Sequence, residues 1–162
     1  FYYFCYGAAV TEVTIDTLTG ENVLDRVDIL QDAGNAINPA LERGQIEGGF
    51  AQGQGWLTME EVIWGKDGKI KTFSPSTYKI PAVTDIPKIF NVEIYKKGMN
   101  VEKVVNKAKT TGEPPLMLAM SVFFAIKDAI ASISNYQKIP DLDAPATPEK
   151  ILLSIKKLKN IN

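Results

Sequence analysis

A carboxylate set directly before two prolines is the first residue here that could do chemistry: Glu113 in Gly112-Glu113-Pro114-Pro115. Both prolines fix their own backbone and restrict the residue before them, so this carboxylate starts from a locked position. The stretch that follows, 116–126, carries no charge. A rigid carboxylate at the mouth of an apolar helix suits a general base. The plainer account is a helix start, where negative charge meets the positive end of the dipole, although glutamate caps less well than Ser, Asp or Asn. A second candidate is Gly44-Gln45-Ile46-Glu47-Gly48-Gly49-Phe50-Ala51-Gln52-Gly53-Gln54-Gly55. It lacks the Lys-Ser/Thr ending of a phosphate loop and the strand–turn–helix setting of a dinucleotide fingerprint. Its glycines permit either close helix packing or a face that touches a ligand. Gln45, a neutral donor and acceptor, suits the edge of a heterocycle. Ser74-Pro75-Ser76-Thr77-Tyr78-Lys79-Ile80-Pro81 offers hydroxyls but reads first as a loop. Cys5 has no evident activating neighbour and is expected to be inert.

These residues need elements to hold them. Val13 and Ile15 alternate with Glu12, Thr14 and Asp16, and Val27 and Ile29 alternate with Asp28, across the polar turn at 17–22; this predicts a hairpin over 7–32. Asn38 and Pro39 fit the cap and first position of a helix, predicted to run over 38–64 with Gly44, Gly48 and Gly55 near one closely packed face. Residues 69–97 carry Pro75, Pro81 and Pro87 and are expected to be extended, with short strands at 70–73 and 91–95. A helix over 114–134, apolar nearly all round, is expected to be buried. Thr147 and Pro148 open a C-terminal helix over 147–159, with Ile151, Leu152, Ile155 and Leu158 as its buried stripe. The fold class expected is α+β: a hairpin and short strands in a mixed sheet, packed by a long Gly-rich helix, a buried apolar helix and a C-terminal amphipathic helix.

Composition prunes the chemistry. The 162 residues, with 45% hydrophobic and 23% charged, can bury a core and fit one domain or one piece of a larger one. A net charge of −1 gives no electrostatic reason to expect nucleic acid or an anionic membrane as partner. The absence of histidine excludes Ser–His–Asp and Cys–His catalysis within the chain, together with every His-ligated zinc or haem site. The single cysteine excludes an internal disulfide and suits a reducing, cytoplasmic compartment. The uncharged run 116–126 is about half of what a membrane-spanning helix requires. An opening of Phe1-Tyr2-Tyr3-Phe4 reads as a cut through a longer polypeptide.

Taken in order, the motifs resemble those of the xanthine dehydrogenase and aldehyde oxidase family. The resemblance rests on Gly44-Gln45-Ile46-Glu47-Gly48-Gly49-Phe50, on Pro75-Ser76-Thr77-Tyr78-Lys79-Ile80-Pro81 and on Gly112-Glu113-Pro114-Pro115. The flanks Tyr6-Gly7-Ala8-Ala9, Asp32-Ala33-Gly34, Asn38-Pro39-Ala40 and Ala144-Pro145-Ala146-Thr147-Pro148-Glu149 agree with it. It covers essentially the whole chain and corresponds to the C-terminal part of the molybdenum-binding subunit, in wording closest to the bacterial form. Ala108-Lys109-Thr110-Thr111 keeps only the lysine of that family's usual Ser-Lys-Ala-Val.

The resemblance implies a molybdenum–molybdopterin hydroxylase that oxidises xanthine, hypoxanthine or a related heterocycle with water as oxygen donor. Electrons would pass through [2Fe-2S] clusters and FAD, on the rest of the molybdenum subunit and an FeS/FAD subunit, to NAD or oxygen. Glu113 takes the place of the family's general base, which deprotonates the attacking hydroxyl, and Gln45 that of the glutamine beside the cofactor. The 162-residue piece alone is expected to be inactive. A non-catalytic binding or subunit-association module that kept the fold is the alternative.

Overall fold

The alternation read from 7–32 becomes two antiparallel strands, β1 (Gly7–Ile15) and β2 (Asn22–Gln31), with a register shift between Glu12 and Val13. The structure is a computed structural model and describes residues 2–159. Because side chains alternate across a strand, β2 turns Val27 and Ile29 into the core, both almost fully buried. A third strand, β3 (Ile89–Ile94), pairs with β2 in parallel, matching Val27 with Phe90 and Ile29 with Val92, so the mixed sheet has the order β1-β2-β3. A parallel pair requires a long crossover, and the Gly-rich segment supplies it.

That segment forms helix α1 (Pro39–Thr58). Asn38 Oδ1 accepts from the Leu41 amide at 3.3 Å, and Pro39 takes the first turn, as the sequence predicts. The helix is shorter than the predicted 38–64. Met59 N and Glu60 N both donate to Gly55 O, and the chain then runs extended to a single bridge between Trp64 and Ile70. The β-branched Val62 and Ile63 suit that extended path better than a helix continued past two glycines. The strand expected at 70–73 is reduced to this bridge.

The helix predicted at 114–134 starts as a 3-10 segment, Pro114–Ala119, and continues as α2 (Met120–Ser132). It is not buried all round. Ala119, Val122, Ile126 and Ile130 face the core, whereas Met117, Met120 and Phe124 are exposed. One side of the helix lies on β1 and α1, and nothing in the described chain covers the other. Pro114–Ser132, which continues past the uncharged run through Lys127 and Asp128, is by length and composition alone long and apolar enough to cross a membrane. Helix α3 (Pro148–Lys159) is capped by Thr147, whose Oγ1 accepts from Lys150 N at 3.4 Å. It buries Ile151, Ile155 and Leu158 as expected, with Ser154 rather than Leu152 completing the stripe. The core thus joins one sheet face to Ile46 and Phe50 of α1 and to the inner faces of α2 and α3, with Phe50 and Phe90 rings 5.4 Å apart.

Candidate active site

Glu113 stands at the entrance of the 3-10 segment. Its carbonyl accepts from Leu116 N at 3.1 Å, but its side chain makes no capping hydrogen bond. The carboxylate is exposed and has no hydrogen-bond or ion-pair partner among the described residues. Of the expected roles, the side-chain helix cap is therefore not the one it performs.

What fixes its backbone comes from two sides. Helix α1 crosses the Pro-Pro start at its glycines. A methyl built on Gly49 would lie 3.2 Å from Pro115 Cβ and 3.5 Å from Gly112 O, and one built on Gly53 would strike Leu116 O and Ala119 Cβ. One turn before Gly49, Gln45 reaches the same segment: its Oε1 lies 3.8 Å from the position a Cβ would take on Gly112. Gln45 is also exposed, with its amide unpartnered among the described residues. Of the two residues singled out separately in the sequence, Gln45 thus stands beside Gly112, the residue directly before Glu113. The glycines that pack closely are Gly49, Gly53 and Gly55, the last against Pro81 and Glu60; Gly44 and Gly48 have nothing within 4 Å. The face expected from Gly44, Gly48 and Gly55 is therefore displaced by a fraction of a turn.

The other side was not foreseen. Asp32, just past β2, forms an ion pair with Lys109 at 2.6 Å, both side chains nearly buried. The second Asp32 oxygen accepts from Gly34 N at 2.8 Å, and Lys109 N donates to Ala33 O at 2.8 Å. Gly34, at φ +64°, allows a bridge to Ala108 in a space that a side chain would close. Asn100 Nδ2 donates to Ala108 O, and the Tyr3 hydroxyl accepts from Thr110 N. The sequence showed Asp32 only as a strand end and Lys109 only as a retained lysine. An Asp two residues before a glycine is an Asx-turn signal, but its cation partner lies 77 residues away.

Cys5 belongs to this anchor, donating its Sγ–H to Thr110 O at 3.3 Å. Burial pushes its thiol above the ordinary range; nearby Lys109 and the Thr110 bond act the other way and are outweighed. The activating neighbour missing from the sequence thus exists, but burial dominates. The segment 74–81 lies elsewhere. Tyr78 Oη donates to Glu60 Oε2 at 2.6 Å, which pushes the phenol up, and Pro81 packs on Gly55. Gly55 is ten residues from Gln45, roughly 15 Å along the helix, so these hydroxyls do not join the pair.

The main concavities are also apart from it. One runs along the sheet between Val10, Arg26, Asp28 and Asn91, where Arg26 and Asn91 already satisfy Asp28; another lies between β1 and α2 around Phe124 and Tyr136. Among the described residues no group of three or more His, Cys, Asp or Glu converges to hold a metal. The residues present fit a cofactor that carries its own metal donors: Gln45 offers an amide able to donate and accept, and Glu113 a carboxylate with no partner among the described residues.

Comparison with known proteins bears on family and fold. Residues 1–87 match the family model described as "Molybdopterin cofactor-binding domain". The chain is 49% identical over 165 residues to the xanthine dehydrogenase of Oryza sativa subsp. japonica, covering 95% of this chain and 12% of that protein. It is 48% identical over 157 residues to the xanthine dehydrogenase/oxidase of Mus musculus, covering 93% of this chain and again 12% of the relative. Among solved structures, quinoline 2-oxidoreductase from Pseudomonas putida 86 superposes with a TM-score of 0.78 at 31% identity, over 90% of this chain and 18% of that one. The chain therefore spans a small part of the relatives it matches.

Proposed function

Since the chain belongs to the molybdopterin cofactor-binding domain family, we propose that it forms part of a molybdenum hydroxylase acting on xanthine, hypoxanthine or a related heterocycle, with Glu113 as general base. The observation that carries this reading is an unpartnered carboxylate on a backbone locked by Pro114 and Pro115, with the amide of Gln45 beside the adjacent Gly112.

In the overall reaction a ring C–H becomes C–OH, with water as the oxygen source and two protons and two electrons released. Glu113 accepts one of those protons on a carboxylate oxygen. Its free lone pairs are the requirement for that role, and its fixed backbone is what makes the transfer directional. Gln45, on a helix held against the same segment, donates to and accepts from the polar edge of the bound pterin group. The molybdenum–pterin group, when bound, supplies the two-electron redox chemistry. The electrons leave through [2Fe-2S] and FAD centres, on other parts of the protein or a partner subunit, to NAD or oxygen. The expected compartment is the cytoplasm.

Glu113→Gln in the full-length protein tests the reading. Xanthine hydroxylation should fall by roughly 10²–10⁴-fold, with molybdenum content unchanged. Near-normal turnover in a molybdenum-loaded variant would return Glu113 to a structural role.

A further inference from the structure

The anchor upstream of Glu113 is built more elaborately than a surface loop needs. The ion pair between Asp32 and Lys109 is 2.6 Å long, with side-chain exposures of 12% and 8%. Asp32 is filled on both oxygens, by Lys109 Nζ and by Gly34 N. Lys109 is held at three places: its amide on Ala33 O, its ammonium on Asp32, and the same ammonium 5.2 Å from the Tyr6 ring centroid. The next residue, Thr110, is held through both its N–H and its C=O, by Tyr3 and Cys5. Thr111 is buried, Gly112 faces Gln45, and Glu113 follows. Only three residues separate the buried ammonium from the carboxylate.

A buried ion pair is a poor way to gain stability, because desolvation offsets much of the attraction. What it does well is admit one arrangement, since every other register leaves a charge buried alone. We propose that Asp32 and Lys109 are positioning residues for Glu113: their ion pair sets the course of residues 109–112, so that the carboxylate stands in one place beside Gln45. This rests on the reading of Glu113 as the base.

The test uses the full-length protein with Lys109→Met, Glu113→Gln and the double variant. Lys109→Met should retain molybdenum and lose about 10- to 100-fold in kcat, with KM changed less than about threefold. In the Glu113→Gln background the same substitution should cost nothing further, because the group it positions is already gone. Hydrogen exchange in the peptide covering residues 107–113 should speed at least about tenfold, a readout independent of turnover.

Turnover within about twofold of the parent for Lys109→Met, beside an inactive Glu113→Gln, would overturn the positioning role and leave the base standing. Losses that multiply in the double variant would also overturn it, since Lys109 would then act independently of Glu113. An active Glu113→Gln would remove both readings. Should Lys109→Met fail to fold, Asp32→Asn keeps an acceptor for Gly34 and carries the same expectations.

Discussion

Helix α1 has two glycine faces that behave in opposite ways. Gly49 and Gly53 press on the Pro114–Ala119 segment, whereas Gly44 and Gly48 meet nothing within 4 Å. Gly48 and Gly49 are neighbours in sequence, yet a turn of about 100° per residue separates their directions. On the first face the missing side chain has a mechanical purpose: the helix backbone comes close enough to Pro115 and Leu116 to fix the peptide that carries Glu113. On the second face the chain's own packing gives the missing side chain no purpose. The lesson concerns which fact decides a glycine's role. Residue type says a close approach is affordable; only the direction in which the absent side chain would point says whether one occurs.

The contrast is tested hardest by Gly53→Ala. The new methyl would run into Leu116 O and Ala119 Cβ, and a backbone oxygen has no alternative rotamer. Overpacking of this kind costs about 1–3 kcal/mol, partly offset by about 1 kcal/mol of helix propensity. A net loss of up to about 2 kcal/mol is expected, read as a lowered denaturation midpoint with unchanged slope. A neutral result would mean that α1 and the 3-10 segment can separate freely, and the close-approach face would lose its meaning.

Gly49→Ala should give a smaller and more telling effect. At 3.2 Å from Pro115 Cβ, the methyl asks its neighbour to give by a few tenths of an ångström. Roughly 1 kcal/mol of strain against about 1 kcal/mol of helix propensity leaves stability nearly unchanged. The displacement falls on Pro115, two residues from Glu113. In the full-length protein kcat should therefore drop several-fold while the melting curve hardly moves. Equal, small effects on both would place the tolerance of this contact above what catalysis requires.

How much of this was legible in the sequence depends on the range of the interactions. The hairpin, the Asn38 cap and the α3 stripe were readable because alternation, capping and helical period are local. The parallel pairing of β2 with β3 was not, since register between strands some sixty residues apart is set by the core they share. The end of α1 was missed although two glycines and the β-branched Val62 and Ile63 weaken the helix there; what the local pattern did not show is that Tyr78 meets Glu60 and Pro81 seats against Gly55. The exposed side of α2 was missed because an apolar composition says nothing about how much surface the rest of the chain can cover. Gln45 and Glu113 were each visible as chemistry, on amide type and on proline context. The approach of Gln45 to Gly112 was invisible, as was the pair that ties Asp32 to Lys109.

Gly48→Ala gives the smallest effect and the opposite sign, which makes it the sharpest check on the second face. With open space around the new methyl, nothing opposes the gain in helix propensity and the lower entropy of the unfolded chain, together about 0.5–1 kcal/mol. A raised denaturation midpoint for the 162-residue chain is the expected outcome. Made in the full-length protein, the same substitution becomes a probe of what lies against α1 beside Gln45. An equal gain there would mean that the face stays open. A loss of stability or of molybdenum would mean that Gly48 is a close-approach position after all, for a surface outside the described residues, and the two faces of the helix would then differ in partner rather than in kind.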